Sequence, residues 1–121
     1  MKKLLPVFAV LLVWGTSAIA QTPGFPEGAE PLAPDALKAA LADKIFKVTP
    51  AQGSPWRVQF NSNGYFFVNA SSYSNSGKWG TKDSSLCQET GKSPGCNEIR
   101  SKDSRLYLKR DSGEVVAMEL Q

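Results

Sequence analysis

The side chains best suited to covalent or acid–base chemistry are sparse in this chain, and one type is missing altogether. There is no histidine among the 121 residues. That removes the commonest general base and the imidazole ligand of zinc, copper and haem sites. Beyond the N-terminal leader described below, Met118 is the only methionine, so thioether ligation is poorly served as well. The two cysteines, Cys87 and Cys96, lie nine positions apart, whereas the familiar redox pair has only two residues between its thiols. The carboxylates Asp83, Glu89, Glu98, Asp103, Asp111, Glu114 and Glu119 fall mostly in predicted turns or beside a basic residue, and read as solvated charge. No serine lies in a Gly-x-Ser-x-Gly turn, and no histidine exists to activate one. Asp111-Ser112-Gly113 begins like a calcium loop but lacks the later ligand positions. Gly77-Lys78-Trp79-Gly80-Thr81 is too short to cradle a phosphate. The expectation is a protein that binds and does not catalyse, with no cofactor and no metal.

Aromatic residues are the one concentration left to explain. Trp56, Phe60 and Phe66 fall on a predicted core face, while Tyr65 and Phe67 point the other way and Tyr73, Trp79 and Tyr107 lie nearby in sequence. One reading has a helix covering this second face to make a two-layer core. The other makes Tyr65, Phe67, Tyr73, Trp79 and Tyr107 a ligand or partner contact surface, because Tyr and Trp offer large contact area with a polar tip. Ser71 to Ser76 then reads as a polar loop with Tyr73 as its anchor.

The elements that must position these residues begin after a leader. Lys2 and Lys3 precede an apolar run from Leu4 to Trp14, and Ala18-Ile19-Ala20 supplies the small residues of a signal-peptidase site. The run is too short for a permanent membrane span, so residues 1–20 read as a secretory signal and the protein as periplasmic or secreted. Residues 21–33 hold Pro23, Gly24, Pro26, Gly28 and Pro31 with few large apolar groups, and read as an extended tether. Residues 34–121 form a single β-rich domain with an N-terminal helix. Pro34 opens that helix, and Leu37, Leu41 and Ile45 set its apolar stripe, so it is expected over Pro34 to Lys44.

After Ile45 the apolar period changes from 3.6 to 2. Candidate strands are Ile45 to Val48, Trp56 to Phe60, Tyr65 to Ala70, Gly77 to Lys82, Leu86 to Gln88, Asn97 to Arg100, Arg105 to Arg110 and Glu114 to Leu120. A three-residue Ser62-Asn63-Gly64 loop with Gly64 left-handed sets Phe60 opposite Phe66, Val58 opposite Val68 and Trp56 opposite Ala70. A two-residue loop would set Phe60 against Phe67 and lose the apolar pairing. The C-terminal hairpin pairs Leu108 with Val116 and Leu106 with Met118, and places Arg110 and Arg105 opposite Glu114 and Glu119. The fold class is all-β with one N-terminal helix: a small antiparallel meander, closed as a barrel or strongly curved.

Composition narrows the partners. The formal charge of +3 includes Lys2 and Lys3; without them 12 basic residues face 11 acidic ones, with the signs interspersed. No basic patch exists to displace counterions, so nucleic acid and anionic membrane are poor partners. In an exported chain Cys87 and Cys96 are expected to form a disulfide. Closing so short a loop restricts the unfolded chain by about 2.5–3 kcal/mol on the entropic account.

Gly77-Lys78-Trp79, then Leu86-Cys87, then Cys96 carry a resemblance. Over roughly Leu37 to Leu120 the chain resembles the small exported proteobacterial proteins classed as a domain of unknown function, with a Gly-x-Trp strand, a Leu-Cys pair and a second Cys about ten residues on. That resemblance implies a secreted β-rich domain and assigns no site. The chain is also similar in plan to periplasmic lysozyme inhibitors, small disulfide-bearing barrels, although Ser76-Gly77 here is followed by Lys78-Trp79-Gly80 and not by their Ser-Gly-x-x-Tyr pattern. The expected function is non-enzymatic binding. The partner is an unknown envelope protein, contacted through the Tyr73 loop. The alternatives are a small apolar ligand held between the strands, or inhibition of a lysozyme or other periplasmic hydrolase.

Overall fold

The computed structural model describes residues 24–90 and 93–121. The leader expected over residues 1–20 and the first residues of the tether lie outside them. The elements are β1 (Glu30–Pro31), α1 (Pro34–Leu41), β2 (Lys44–Val48), β3 (Trp56–Phe60), β4 (Tyr65–Ala70), β5 (Tyr73–Lys82), β6 (Ser85–Thr90), β7 (Ser93–Lys102), β8 (Arg105–Lys109) and β9 (Val115–Leu120). From β2 onward each strand pairs antiparallel with the next, and β9 returns to pair with β2. The meander therefore closes into an eight-stranded up-and-down barrel, and closure removes the exposed sheet edges of an open meander.

The local registers follow from turn chemistry and apolar pairing. Gly64 has φ 96°, its N–H donates to Asn61 O at 3.0 Å, and Phe60, Val58 and Trp56 face Phe66, Val68 and Ala70. The β8–β9 turn repeats this with Gly113 at φ 97°, and Leu108 faces Val116 while Leu106 faces Met118. Positive φ carries little steric cost for glycine, which is why one ends each three-residue loop. Of the two charged pairs expected on this hairpin, only one forms. Arg110 Nη1 lies 2.8 Å from Glu114 Oε1, while Arg105 and Glu119 do not pair with each other.

The inward-facing side chains make one continuous core. Phe60 packs edge-on against Phe46 at 6.2 Å and Trp79 at 5.2 Å between ring centres. The Trp79 indole N–H donates to Asn61 O at 2.8 Å, so the buried ring leaves no polar atom unpaired. Leu37 and Leu41, both 0% exposed, join this cluster from α1, which packs against β2, β5 and β6. The helix thus covers one end of the barrel, the end where β2 begins and β3 finishes.

Several expectations are corrected. The helix stops at Leu41 rather than Lys44, because Asp43 takes φ 61° and its N–H donates to Phe60 O at 2.6 Å, starting the β2 ladder. Lys44, freed from the helix, donates to Ala39 O at 2.9 Å and caps it. No two-layer core forms over Tyr65 and Phe67, since α1 lies at the barrel end and these two rings stay 45% and 44% exposed. Residues 73–76 are not a loop but the first turnless stretch of β5, paired through Ala70 with Tyr73 and Asn69 with Ser74. The stretch expected as a tether is pinned where described. Glu30 and Pro31 pair with Ser101 and Arg100, Leu32 N–H donates to Ser84 Oγ at 2.9 Å, and Arg100 sits 4.8 Å over the Phe25 ring. Ser84 Oγ in turn donates to Ile99 O, so the buried hydroxyl ties this strap to β7.

Candidate functional site

The end opposite α1 is open. There β2 finishes at Val48, β3 starts at Trp56 and β8 finishes at Lys109, and a cavity of about 270 Å³ runs into the barrel. Its volume sits just below the usual range of about 300–1,000 Å³ for small-molecule sites. Strand alternation decides the lining: Val48, Trp56, Val58, Phe60, Val68, Leu86, Leu108 and Met118 point inward and supply apolar wall. Gln88 on β6 and Asn97 on β7 also point inward. In the closed strand order β6 and β7 lie four places from β2 and β3. The two amides therefore face the Val48, Trp56 and Val58 side across the lumen.

The mouth is held by a small polar network. Glu114 Oε2 accepts the Ala51 N–H at 2.7 Å, while Glu114 Oε1 pairs with Arg110, whose guanidinium lies 5.1 Å over the Trp56 ring. The Ala51 N–H, followed by the Arg110 guanidinium, holds the Glu114 carboxyl below its ordinary value. Hydrogen bonds that a carboxylate accepts favour its charged form. Asn97 Nδ2 donates to Lys109 O at 3.1 Å and to Asp111 Oδ1 at 2.9 Å, fixing the β8–β9 loop at the rim. These contacts join the loop over residues 49–55 to the Arg110–Glu114 turn and give the opening a defined edge.

The five aromatic residues expected to form one contact surface are dispersed by the barrel. Trp79 is 8% exposed and belongs to the core. Tyr65 and Phe67 project from the outer wall beside Lys78, Gln59 and Ser76. Tyr107 is half-buried on the outer wall between Arg100 and Ala117. Tyr73, 56% exposed, stands on the strand next to Ala70 at the open end, its hydroxyl accepting from Asn75 Nδ2 at 2.9 Å.

Cys87 and Cys96 are bonded, with Cα atoms 4.0 Å apart. They face each other across β6 and β7, so the bond staples two strands that are already paired. Leu86 and Gln88 point inward, which leaves the disulfide on the outer wall. Among the described residues, no helix is long and apolar enough to cross a membrane.

A second depression of about 620 Å³ lies at the α1 end, between Leu32, Ala40, Phe46 and Leu106, with Lys44, Arg105 and Glu119 around it. Met118 lines both spaces and separates them. The mouth has the better-defined chemistry, because Gln88 and Asn97 stand among apolar side chains beneath a polar rim of Arg110, Asp111 and Ser112. Neither amide is marked out by a sequence motif. The available signal was parity: once Cys87 faces Cys96, Leu86 faces Asn97 and Gln88 faces Gly95, so two polar residues fall on the core face. Comparison with family models, with curated proteins and with solved structures returns no match.

Proposed function

We propose that this is an exported, non-catalytic binding domain that holds a small, mainly apolar ligand in the open mouth of its barrel. The observation that supports this reading is the 270 Å³ cavity, closed below by Phe60 and Met118 and bounded above by the Arg110–Glu114 rim. Apolar surface removed from water there contributes about 25 cal/mol per Å². The engaged carboxylates add to the case for binding without catalysis. Glu114 is paired with Arg110, Glu98 with Arg100 at 2.7 Å, and Asp111 accepts from Asn97. Export fits the Cys87–Cys96 disulfide, a bond that persists in oxidising compartments. A protein partner docked on the aromatic residues has less support, because the barrel places Trp79 inside and Tyr65 and Tyr107 on separate strands of the wall.

The test uses naphthalene and a lumen-filling variant. Val68 lines the cavity without being one of its most buried residues, so Val68→Trp fills the space at an overpacking cost of about 1–3 kcal/mol. Naphthalene should shift the backbone amide resonances of Val58, Val68 and Leu108, and raise the melting temperature. A folded Val68→Trp protein should show neither effect. Absence of any response in the wild-type protein, or an undiminished response in Val68→Trp, would overturn the proposal.

A further inference from the structure

We infer that the lumen selects an uncharged molecule of about two fused rings that carries one hydrogen-bonding edge, an inference that rests on the mouth being the ligand site. Size comes first. A dry cavity of about 150 Å³ holds a benzene, so a space of about 270 Å³ accommodates roughly ten or eleven non-hydrogen atoms. The depth agrees. Trp56 near the rim and Phe60 at the base are four residues apart on β3, and at about 3.3 Å per residue with a tilt near 40° this gives about 10 Å.

Polarity comes second, and it is concentrated on one side. Among the described residues the Gln88 side chain has no hydrogen-bond partner, and Gly95 opposite it has open space where a Cβ would stand. Asn97 spends its Nδ2 on Lys109 O and Asp111 Oδ1, and its Oδ1 has no donor among the described residues. One wall therefore presents an amide NH₂ and two acceptor oxygens without partners among the described residues, while the facing wall of Val48, Trp56 and Val58 presents only the Trp56 indole N–H. A ligand that buries a hydroxyl or amide against Gln88 and Asn97 satisfies groups that would otherwise lose water without compensation.

Charge comes third. Among the described residues no charged side chain lines the cavity below the rim, and at the rim Arg110 is already paired with Glu114 while Asp111 accepts from Asn97. Asp111 keeps its negative charge at the rim, because the Asn97 amide it accepts from is neutral. Below the rim, however, a carboxylate or ammonium would shed water and find no counter-charge, which is strongly unfavourable.

Four probes and two variants separate these points. Dissociation constants would be measured by calorimetry for 2-naphthol, naphthalene, 2-naphthoate and 2-naphthylmethylammonium, with the Gln88 side-chain amide followed by NMR. The expected order has 2-naphthol about tenfold tighter than naphthalene, the worth of one good hydrogen bond. Both ions should bind at least tenfold more weakly than the naphthol. The naphthol should move the Gln88 amide resonance, and Gln88→Leu should erase its advantage over naphthalene. Gln88→Met, closer in shape, serves the same purpose should the leucine variant fail to fold. Equal affinity for naphthol and naphthalene, or a preference that survives in both variants, would overturn the hydrogen-bonding edge while leaving the lumen as an apolar site. Tighter binding of either ion would overturn the selection for neutrality. No binding by any probe would overturn both this inference and the ligand-site reading beneath it.

Discussion

Replacing Gly77 by alanine places a methyl carbon 2.0 Å from the Glu89 carbonyl oxygen and 3.1 Å from a ring carbon of Phe66. A comfortable carbon–oxygen approach is about 3.3 Å or more, so one backbone must move by more than an ångström. Glu89 pairs with Lys78 at the last rung of the β5–β6 ladder, and that rung is what the movement breaks. Overpacking costs about 1–3 kcal/mol, and a lost backbone hydrogen bond adds about 0.5–1.5 kcal/mol. The reduced freedom of the unfolded chain returns about 0.4–1 kcal/mol. The net expectation is a loss of about 2 kcal/mol, or some 8–16 °C in melting temperature for a domain of this size. Gly80 is the control, three residues along the same strand, where a Cβ would have nothing within 4 Å. Gly80→Ala should leave the melting temperature unchanged or raise it by a few degrees, since only the unfolded-state term remains. Thermal and urea unfolding followed by circular dichroism measure both variants. Equal stability of Gly77→Ala and Gly80→Ala would refute the close crossing of β5 and β6 from which the magnitude is derived.

Two further outcomes follow from the hairpin and the rim. The Cys87→Ala/Cys96→Ala protein should keep its lumen, because the bond lies on the outer wall, and should lose about 2.5–3 kcal/mol on the loop-entropy account; unchanged urea midpoints would count against that account. Glu114 carries the pH dependence. Its pKa is lowered from the ordinary 4.5 by the Ala51 N–H and Arg110, so its contribution is complete above that value and disappears as pH falls through the folded-state pKa. The Ala51 amide should accordingly lose its hydrogen-bonded chemical shift in acid, and Glu114→Gln should remove this titration; an identical acid transition in the variant would exclude Glu114 as its source.

Local rules made much of this fold legible. Alternation in Trp56 to Phe60, the Asn63-Gly64 and Ser112-Gly113 turns, and the need to keep apolar residues opposite each other determined both three-residue hairpins, because each involves partners only a few residues apart. The Cys87–Cys96 bond was legible for the same reason of short range, together with the secretory signal expected over residues 1–20. What the chain could not disclose locally was the closure of β9 onto β2, which pairs Val48 with Met118 across 70 residues and turns a meander into a container. Closure decided the rest. It drew Trp79 inside, left Tyr65 and Phe67 on an outer wall that no helix covers, moved α1 to the end of the barrel, and set Gln88 and Asn97 across the lumen from Trp56. Period-2 alternation separates the two faces of a strand. Which face encloses a space, and which residues meet across it, depends on strand pairs that only the tertiary structure brings together.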